Sequence, residues 1–208
     1  MVVQHRRIGP VGIGVLLLLL IGAAVAFAVS AWSGIGQPSN AIGGPFTLTA
    51  AGGQRLTDQA FRGKWMLVYF GYSSCPDVCP TTLAEIAETL DRLGPLSARL
   101  QPLFITVDPE RDTPEVIDAY VKAFDARIVG LAGTAAEIRQ VAKAYRVHYA
   151  RKDAPDGNRR AYLMEHSAFV YLMGPDGTYV TLFAPGRGQG PDEMASLIRE
   201  HLARSSSR

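Results

Sequence analysis

The chain of 208 residues holds only two cysteines, both in Gly71-Tyr72-Ser73-Ser74-Cys75-Pro76-Asp77-Val78-Cys79-Pro80. Their spacing is one residue longer than the Cys-x-x-Cys of disulfide-exchange motifs. Pro80 has no N–H and its ring collides with the carbonyl four residues back, so it belongs in the first turn of a helix. A helix is therefore predicted to begin at about Cys79. Both sulfurs then sit near a helix N-terminus, where unpaired N–H groups and partial positive charge favour thiolate over thiol. Thiolate serves metal binding and disulfide exchange alike. A merely stabilising bridge explains the pair poorly, because the entropic gain from cross-linking grows with loop length and this loop is short.

A third donor would separate the two chemistries, and the chain offers four histidines. His5 precedes a long apolar segment, His201 falls in a predicted terminal helix, and His148 follows a predicted helix, where a surface or packing role suits it. His166 differs: Glu165-His166-Ser167 leads directly into an apolar strand, where a polar side chain can project over the end of a sheet. Two thiolates and an imidazole, if they converge, make a soft three-coordinate set. That set suits Cu(I) and, with an added ligand, Cu(II), whereas zinc in a closed site takes four. A pure thiol exchanger needs no histidine. Read from the residues, metal binding and thiol redox chemistry both stand. A peroxidase is disfavoured, since the cysteines are close neighbours rather than a peroxidatic residue with a distant partner.

The elements that must position these groups follow from the apolar pattern. Pro45-Phe46-Thr47-Leu48-Thr49 with Gly52-Gly53 suggests an opening hairpin, and 65–70 is a near-continuous apolar run, as in a strand covered on both faces. Leu83, Ile86, Ala87, Leu90 and Leu93 mark an amphipathic helix closed by Gly94-Pro95. A second buried strand is predicted at 103–107 and a second helix at 115–124, with Thr113 as cap and Pro114 at its first position. A short strand at 128–131 precedes a third helix running to Tyr145, headed by the capping box Thr134-Ala135-Ala136-Glu137. Residues 151–160 read as a charged surface loop. An antiparallel pair, 167–173 and 178–183, flanks the turn Gly174-Pro175-Asp176-Gly177, and a last helix covers 191–202. Strand, helix, strand, helix, then hairpin and helix, imply an α/β sandwich with a mixed central sheet. With the cysteines between the first core strand and its helix, a thioredoxin-like fold is expected.

Between Arg7 and Arg55 there is no charged residue. Residues 8–32 are apolar over the roughly 20 residues that a spanning helix needs, longer than the apolar core of a cleaved signal peptide. They are predicted to form a transmembrane anchor. His5, Arg6 and Arg7 place residues 1–7 in the cytoplasm by the positive-inside rule, and hence the functional domain on the periplasmic or another extracytoplasmic side. Ala28-Val29-Ser30 has the form of a cleavage site, so removal as a signal peptide is the rival reading. The rest divides into a Gly/Pro-punctuated linker at 33–44, one domain at 45–203 and a Ser/Arg tail at 204–208. A formal charge of +2, with both signs interspersed, gives no nucleic-acid footprint.

Three segments together carry a resemblance: Phe70-Gly71-Tyr72-Ser73 with Cys75-Pro76-Asp77-Val78-Cys79-Pro80, then Asp108-Pro109-Glu110-Arg111-Asp112-Thr113-Pro114, then Glu165-His166. In order and spacing the chain resembles the Sco/SenC family of membrane-tethered copper-binding proteins of cytochrome c oxidase assembly. The resemblance implies that Cys75, Cys79 and His166 are ligands to copper, as Cu(I), Cu(II) or both. It also implies a metallochaperone without catalytic residues, which takes copper from an unidentified donor and passes it to cytochrome c oxidase subunit II. The alternative it leaves is a thiol–disulfide oxidoreductase acting on the copper-receiving protein, with Cys75 and Cys79 as its redox pair. Asp108 matches an acidic family position near the metal and is read as a tuning or partner-contact residue. Its plainer reading is a turn residue before proline, with Asp112 or Thr113 capping the next helix.

Overall fold

The computed structural model of the protein describes Gly22 and residues 41–153 and 161–206. The anchor predicted at 8–32 therefore lies, Gly22 excepted, outside the described residues, as do residues 1–7 and 154–160. Among the described residues no helix is long and apolar enough to cross a membrane. The unit Ala41–Arg208 carries the fold.

The element order is β1 (Thr47–Thr49), β2 (Arg55–Thr57), β3 (Trp65–Gly71), α1 (Val78–Leu93), β4 (Leu100–Thr106), α2 (Pro114–Lys122), β5 (Val129–Leu131), α3 (Ala135–Tyr145), β6 (Tyr149–Lys152), β7 (Leu163–His166), β8 (Val170–Met173), β9 (Tyr179–Phe183) and α4 (Pro191–Ser206). Five strands form the central sheet in the order β5-β4-β3-β8-β9. β3, β4 and β5 run parallel, whereas β8 and β9 are antiparallel to their neighbours, so the sheet is mixed. This is a thioredoxin-like fold. β3 is buried along its whole length, which accounts for its unbroken apolar sequence.

Strands β3, β4 and β5 advance across the sheet in one direction, so right-handed crossovers bring α1 and α2 to the same face. On that face Tyr69 and Phe104 are register partners, their rings 5.8 Å apart, with Tyr120 of α2 a further 5.8 Å beyond Phe104. Phe70 points to the opposite face, where Tyr145 of α3 and Tyr171 of β8 close on it at 5.4 and 6.2 Å. The N-terminus of α3 is closed by a capping box that also takes an ion pair. Thr134 Oγ1 accepts from the Glu137 amide, Glu137 Oε2 accepts from the Thr134 amide, and Arg55 Nη2 of β2 donates to Glu137 Oε1 at 2.5 Å.

Two elements differ from the sequence expectation for identifiable reasons. β4 begins at Leu100, three residues before the predicted strand, and so includes Pro102. Pro102 is tolerated because β5 pairs only with Leu103–Ile105, which leaves β4 as an edge at that point. The second difference concerns the site. Arg151 and Lys152, expected in a loop, belong to β6, which pairs with β7 in a two-stranded ribbon separate from the central sheet. Its residues are either half-buried or exposed, and Arg151, Lys152 and Glu165 interrupt them with charge, so no apolar run announces it. His166 is consequently the last residue of β7, opposite Tyr149, and the core strand β8 starts later, at Val170.

The Glu137 carboxyl is held down to about 2, chiefly by the hydrogen bond from Arg55 and then by the Thr134 amide, against an ordinary value of 4.5. A depressed carboxyl contributes stability above its unfolded value and loses it as pH falls toward the folded one. Thr134→Ala should therefore cost about 1 kcal/mol in chemical denaturation at neutral pH. Glu137→Gln should flatten the loss of stability that wild type shows on acidification below that ordinary carboxyl value.

Candidate metal centre

Cys79 lies in the first turn of α1 and is fully buried, and Cys75 is half-buried in the loop ahead of it; both thiols are free. Asp77 occupies the capping position of α1 but its side chain makes no capping bond. A sulfur takes that role instead: the Cys79 amide donates to Cys75 Sγ at 3.4 Å, a sulfur capping one of the helix's open N–H groups. Beneath Cys79 the strand must be bare. A Cβ on Gly71 would stand 2.8 Å from Cys79 Sγ and 2.9 Å from Phe104 Cε2, so only glycine lets the sulfur settle on the end of β3.

His166 reaches the pair from β7, with Nε2 3.3 Å from Cys79 Sγ. Its other nitrogen lies 3.2 Å from the Ser167 carbonyl, which can only accept; Nδ1 therefore carries the proton and the Nε2 lone pair faces the sulfurs. The imidazole packs edge-on against Tyr72 at 5.9 Å and Tyr69 at 6.3 Å. The donor atoms of Cys75, Cys79 and His166 all lie within 4.8 Å of one another. Metal–sulfur and metal–nitrogen bonds of about 2.0–2.3 Å put the donors of one ion up to roughly 4.6 Å apart, so the set lies close to the spacing that a single soft ion spans.

The two sulfurs are not equivalent, which the helix-terminus argument alone does not reveal. Cys75 is lowered to about 3, first by the hydrogen bond from the Cys79 thiol and then by the amides of Asp77 and Cys79, against the opposing effect of burial. Cys79 is pushed up, because it donates its proton to Cys75 and because it is buried. The pair therefore holds one thiolate, half-exposed, and one thiol beneath it. Beside them opens a groove of about 380 Å3 lined by Tyr72, Cys75, Asp77, Lys152, Leu163 and His166.

The other predicted residues separate from this cluster. His148 is exposed, and its amide donates to Ser167 Oγ at 3.1 Å. The His201 ring packs on Trp65 at 6.4 Å, and His5 is outside the described residues. Asp108 is not among the three clustered donors. It is 2% exposed, with Tyr162 Oη donating to Oδ1 at 2.6 Å and Arg111 Nε donating to Oδ2. Thr113 caps α2, with its Oγ1 accepting from Val116. Asp112 does something else: its carboxylate accepts from the Ser73 amide at 3.1 Å, from Ser73 Oγ at 2.5 Å and from Thr106 Oγ1 at 2.5 Å. Burial raises the Asp112 carboxyl even so. Ser73 and Arg111 lie in motifs singled out from sequence without a role there, and Asp112 is read there only as an alternative cap to Thr113; Tyr162 carries no signal at all.

Fold and site together define a thioredoxin-like domain whose first helix opens on a soft two-sulfur, one-nitrogen donor set. A family model described as SCO1/SenC matches residues 36–203, and the chain belongs to that family. It is 43% identical over 170 residues to the mitochondrial SCO1 homologue of Homo sapiens, across 81% of this chain and 54% of that protein. It is 42% identical over 163 residues to mitochondrial SCO1 homologue 1 of Arabidopsis thaliana, across 78% of this chain and 47% of that protein. The chain thus spans about half the length of these relatives. Among solved structures it is similar to Arabidopsis thaliana ScoI with copper bound, at 38% identity, TM-score 0.72, 79% of this chain and 99% of that one. Bradyrhizobium japonicum ScoI, also with copper bound, matches at 44% identity and TM-score 0.69 over 77% of this chain and 99% of that one.

The inequality of the sulfurs has a direct readout. Iodoacetamide should alkylate Cys75 well before Cys79, at a rate that stays nearly flat from about pH 8 down to about pH 5, since thiolate persists down to the lowered value. A rate falling tenfold per pH unit across that range would instead mark an ordinary thiol. Gly71→Ala should displace Cys79 and make it alkylate at a rate approaching that of Cys75.

Proposed function

We propose that the protein is a membrane-tethered copper chaperone, delivering copper to the dinuclear copper centre of cytochrome c oxidase subunit II. The observation that carries the reading is the approach of His166 Nε2 to within 3.3 Å of Cys79 Sγ, which adds a nitrogen donor that thiol exchange does not require. Membership of a family whose relatives have been solved with copper supports the choice of metal. In this reading Cys75 and Cys79 supply thiolates and His166 the imidazole. Copper is cargo: three soft donors hold Cu(I), and an added ligand is needed for Cu(II). Cys75 is already ionised and half-exposed, so it makes first contact; Cys79 gives up its proton as the ion settles.

Delivery then takes place outside the cytoplasm, with residues 8–32 as the anchor, 33–44 as the linker and 45–203 as the copper-binding domain. A short tether holds the domain close to a membrane-embedded acceptor and raises its effective concentration without demanding high intrinsic affinity. The donor that loads the protein is a separate partner.

A second reading, reduction of the acceptor's cysteines, is favoured by one observation: a half-exposed thiolate at Cys75 beside a protonated thiol at Cys79, the arrangement that starts disulfide exchange. In anaerobic Cu(I) competition titrations, Cys75→Ser and Cys79→Ser should weaken binding more than His166→Ala does. Wild-type affinity in either serine variant would rule the site out. His166→Ala should abolish copper-dependent oxidase assembly while still reducing a target disulfide peptide; the reverse pattern would favour the reductase.

A further inference from the structure

The ribbon that carries His166 has an anchoring problem. β6 and β7 pair only with each other, and a lone two-stranded ribbon is marginal in water. A ligand at its end must nevertheless stand within about 0.5 Å of its working position. At the His166 end the ribbon is tied by the Ser167 amide to the His148 carbonyl, 2.9 Å, and by Ser167 Oγ to the His148 amide. These bonds close the ribbon on itself; toward the domain it makes an Arg151–Glu110 ion pair at 3.1 Å with Glu110 largely exposed, and the His166 ring rests against Tyr69 and Tyr72.

A buried, hydrogen-bonded tie to the rest of the domain is at Tyr162, the residue before β7. Its hydroxyl donates to Asp108 and its carbonyl accepts from Arg111 Nη1 at 3.0 Å. The Arg111 guanidinium, itself paired with Asp108, lies 3.6 Å from the centre of the Tyr162 ring and 5.6 Å from that of Tyr72. Arg151 of β6 lies over the Tyr162 ring as well, at 3.8 Å. Four residues further along the same turn, Asp112 holds both the N–H and the O–H of Ser73, two residues before Cys75. Each buried carboxylate of the 108–112 turn thus grips one of the two segments that bring donors to the site.

We propose that Asp108 is a positioning residue: acting through Tyr162 and Arg111, it fixes the β6–β7 ribbon against the domain and so sets His166 on the cysteine pair. The proposal rests on the copper reading for the identity of the ion, but the clamp itself is independent of any metal. With both carboxylate oxygens engaged and almost no exposed surface, Asp108 acts by holding the ribbon rather than by meeting a partner.

Tyr162→Phe is the clean test, since it deletes one oxygen and keeps the ring between its neighbours. In metal-free protein, amide exchange across Tyr149–Lys152 and Leu163–His166 should accelerate about tenfold in this variant, while β3 and β8 stay as in wild type; unchanged ribbon exchange would overturn the clamp. With Cu(I), Tyr162→Phe and Asp108→Asn should each weaken binding by about 10- to 100-fold. Placed in a His166→Ala background, neither should weaken it further, because the donor they position is gone. An undiminished effect in that background, or none in wild type, would show that Asp108 does not act through His166. A wild-type protein that failed to take up Cu(I) would sink the copper reading, and the exchange comparison would still decide the clamp.

Discussion

The approach of a buried cysteine sulfur to an imidazole at 3.3 Å is the contact around which this domain is arranged. Three separate pieces of chain must agree for it to form. Pro80 can occupy only the first helical turn, which starts α1 where Cys79 falls inside the fold. Gly71 lacks the Cβ that would collide with that sulfur at the end of β3. The β6–β7 ribbon must then arrive from beyond α3 with its last residue over the same point.

Burial and hydrogen bonding make the two thiols chemically unequal although both stand at one helix terminus. The helix end favours thiolate at each sulfur, yet a shared proton cannot be on both sides of one hydrogen bond. Cys79, deeper and desolvated, keeps it; Cys75, reached by solvent and by the amide of Cys79, gives it up. An outer thiolate able to engage an incoming ion, above an inner thiol that ionises only on coordination, couples metal uptake to proton release. The same asymmetry is what a disulfide-exchange pair uses. Copper binding and thiol exchange thus call on one electrostatic arrangement, to which His166 adds a nitrogen donor that only metal binding requires.

Much of the frame could be read directly from residue patterns. The apolar run at 65–70, the helical spacing of Leu83, Ile86, Leu90 and Leu93, and the Thr134–Glu137 capping box each became the element they implied. These signals are strong because they are local: burial on both faces, a 3.6-residue period and a reciprocal pair of hydrogen bonds all leave their mark within a dozen residues. The ribbon left no such mark. Its strands are short, partly charged and covered on one side only, so Arg151 and Lys152 looked like loop and His166 like the entrance to β8.

By itself the sequence determined the donor types, the helix start at the cysteines and the doubly covered sheet behind them, because proline geometry and hydrophobic periodicity act over neighbouring residues. Only the tertiary structure decided that Cys79 rather than Cys75 holds the proton, since desolvation depends on what the whole chain folds over a sulfur. It also decided that the Asp108 side chain, while its carbonyl heads the turn, reaches inward to Tyr162, and that Asp112 holds Ser73 while Thr113 caps the helix. The bonds to Tyr162 and Ser73 join residues 54 and 39 positions apart, a distance over which no local propensity reports.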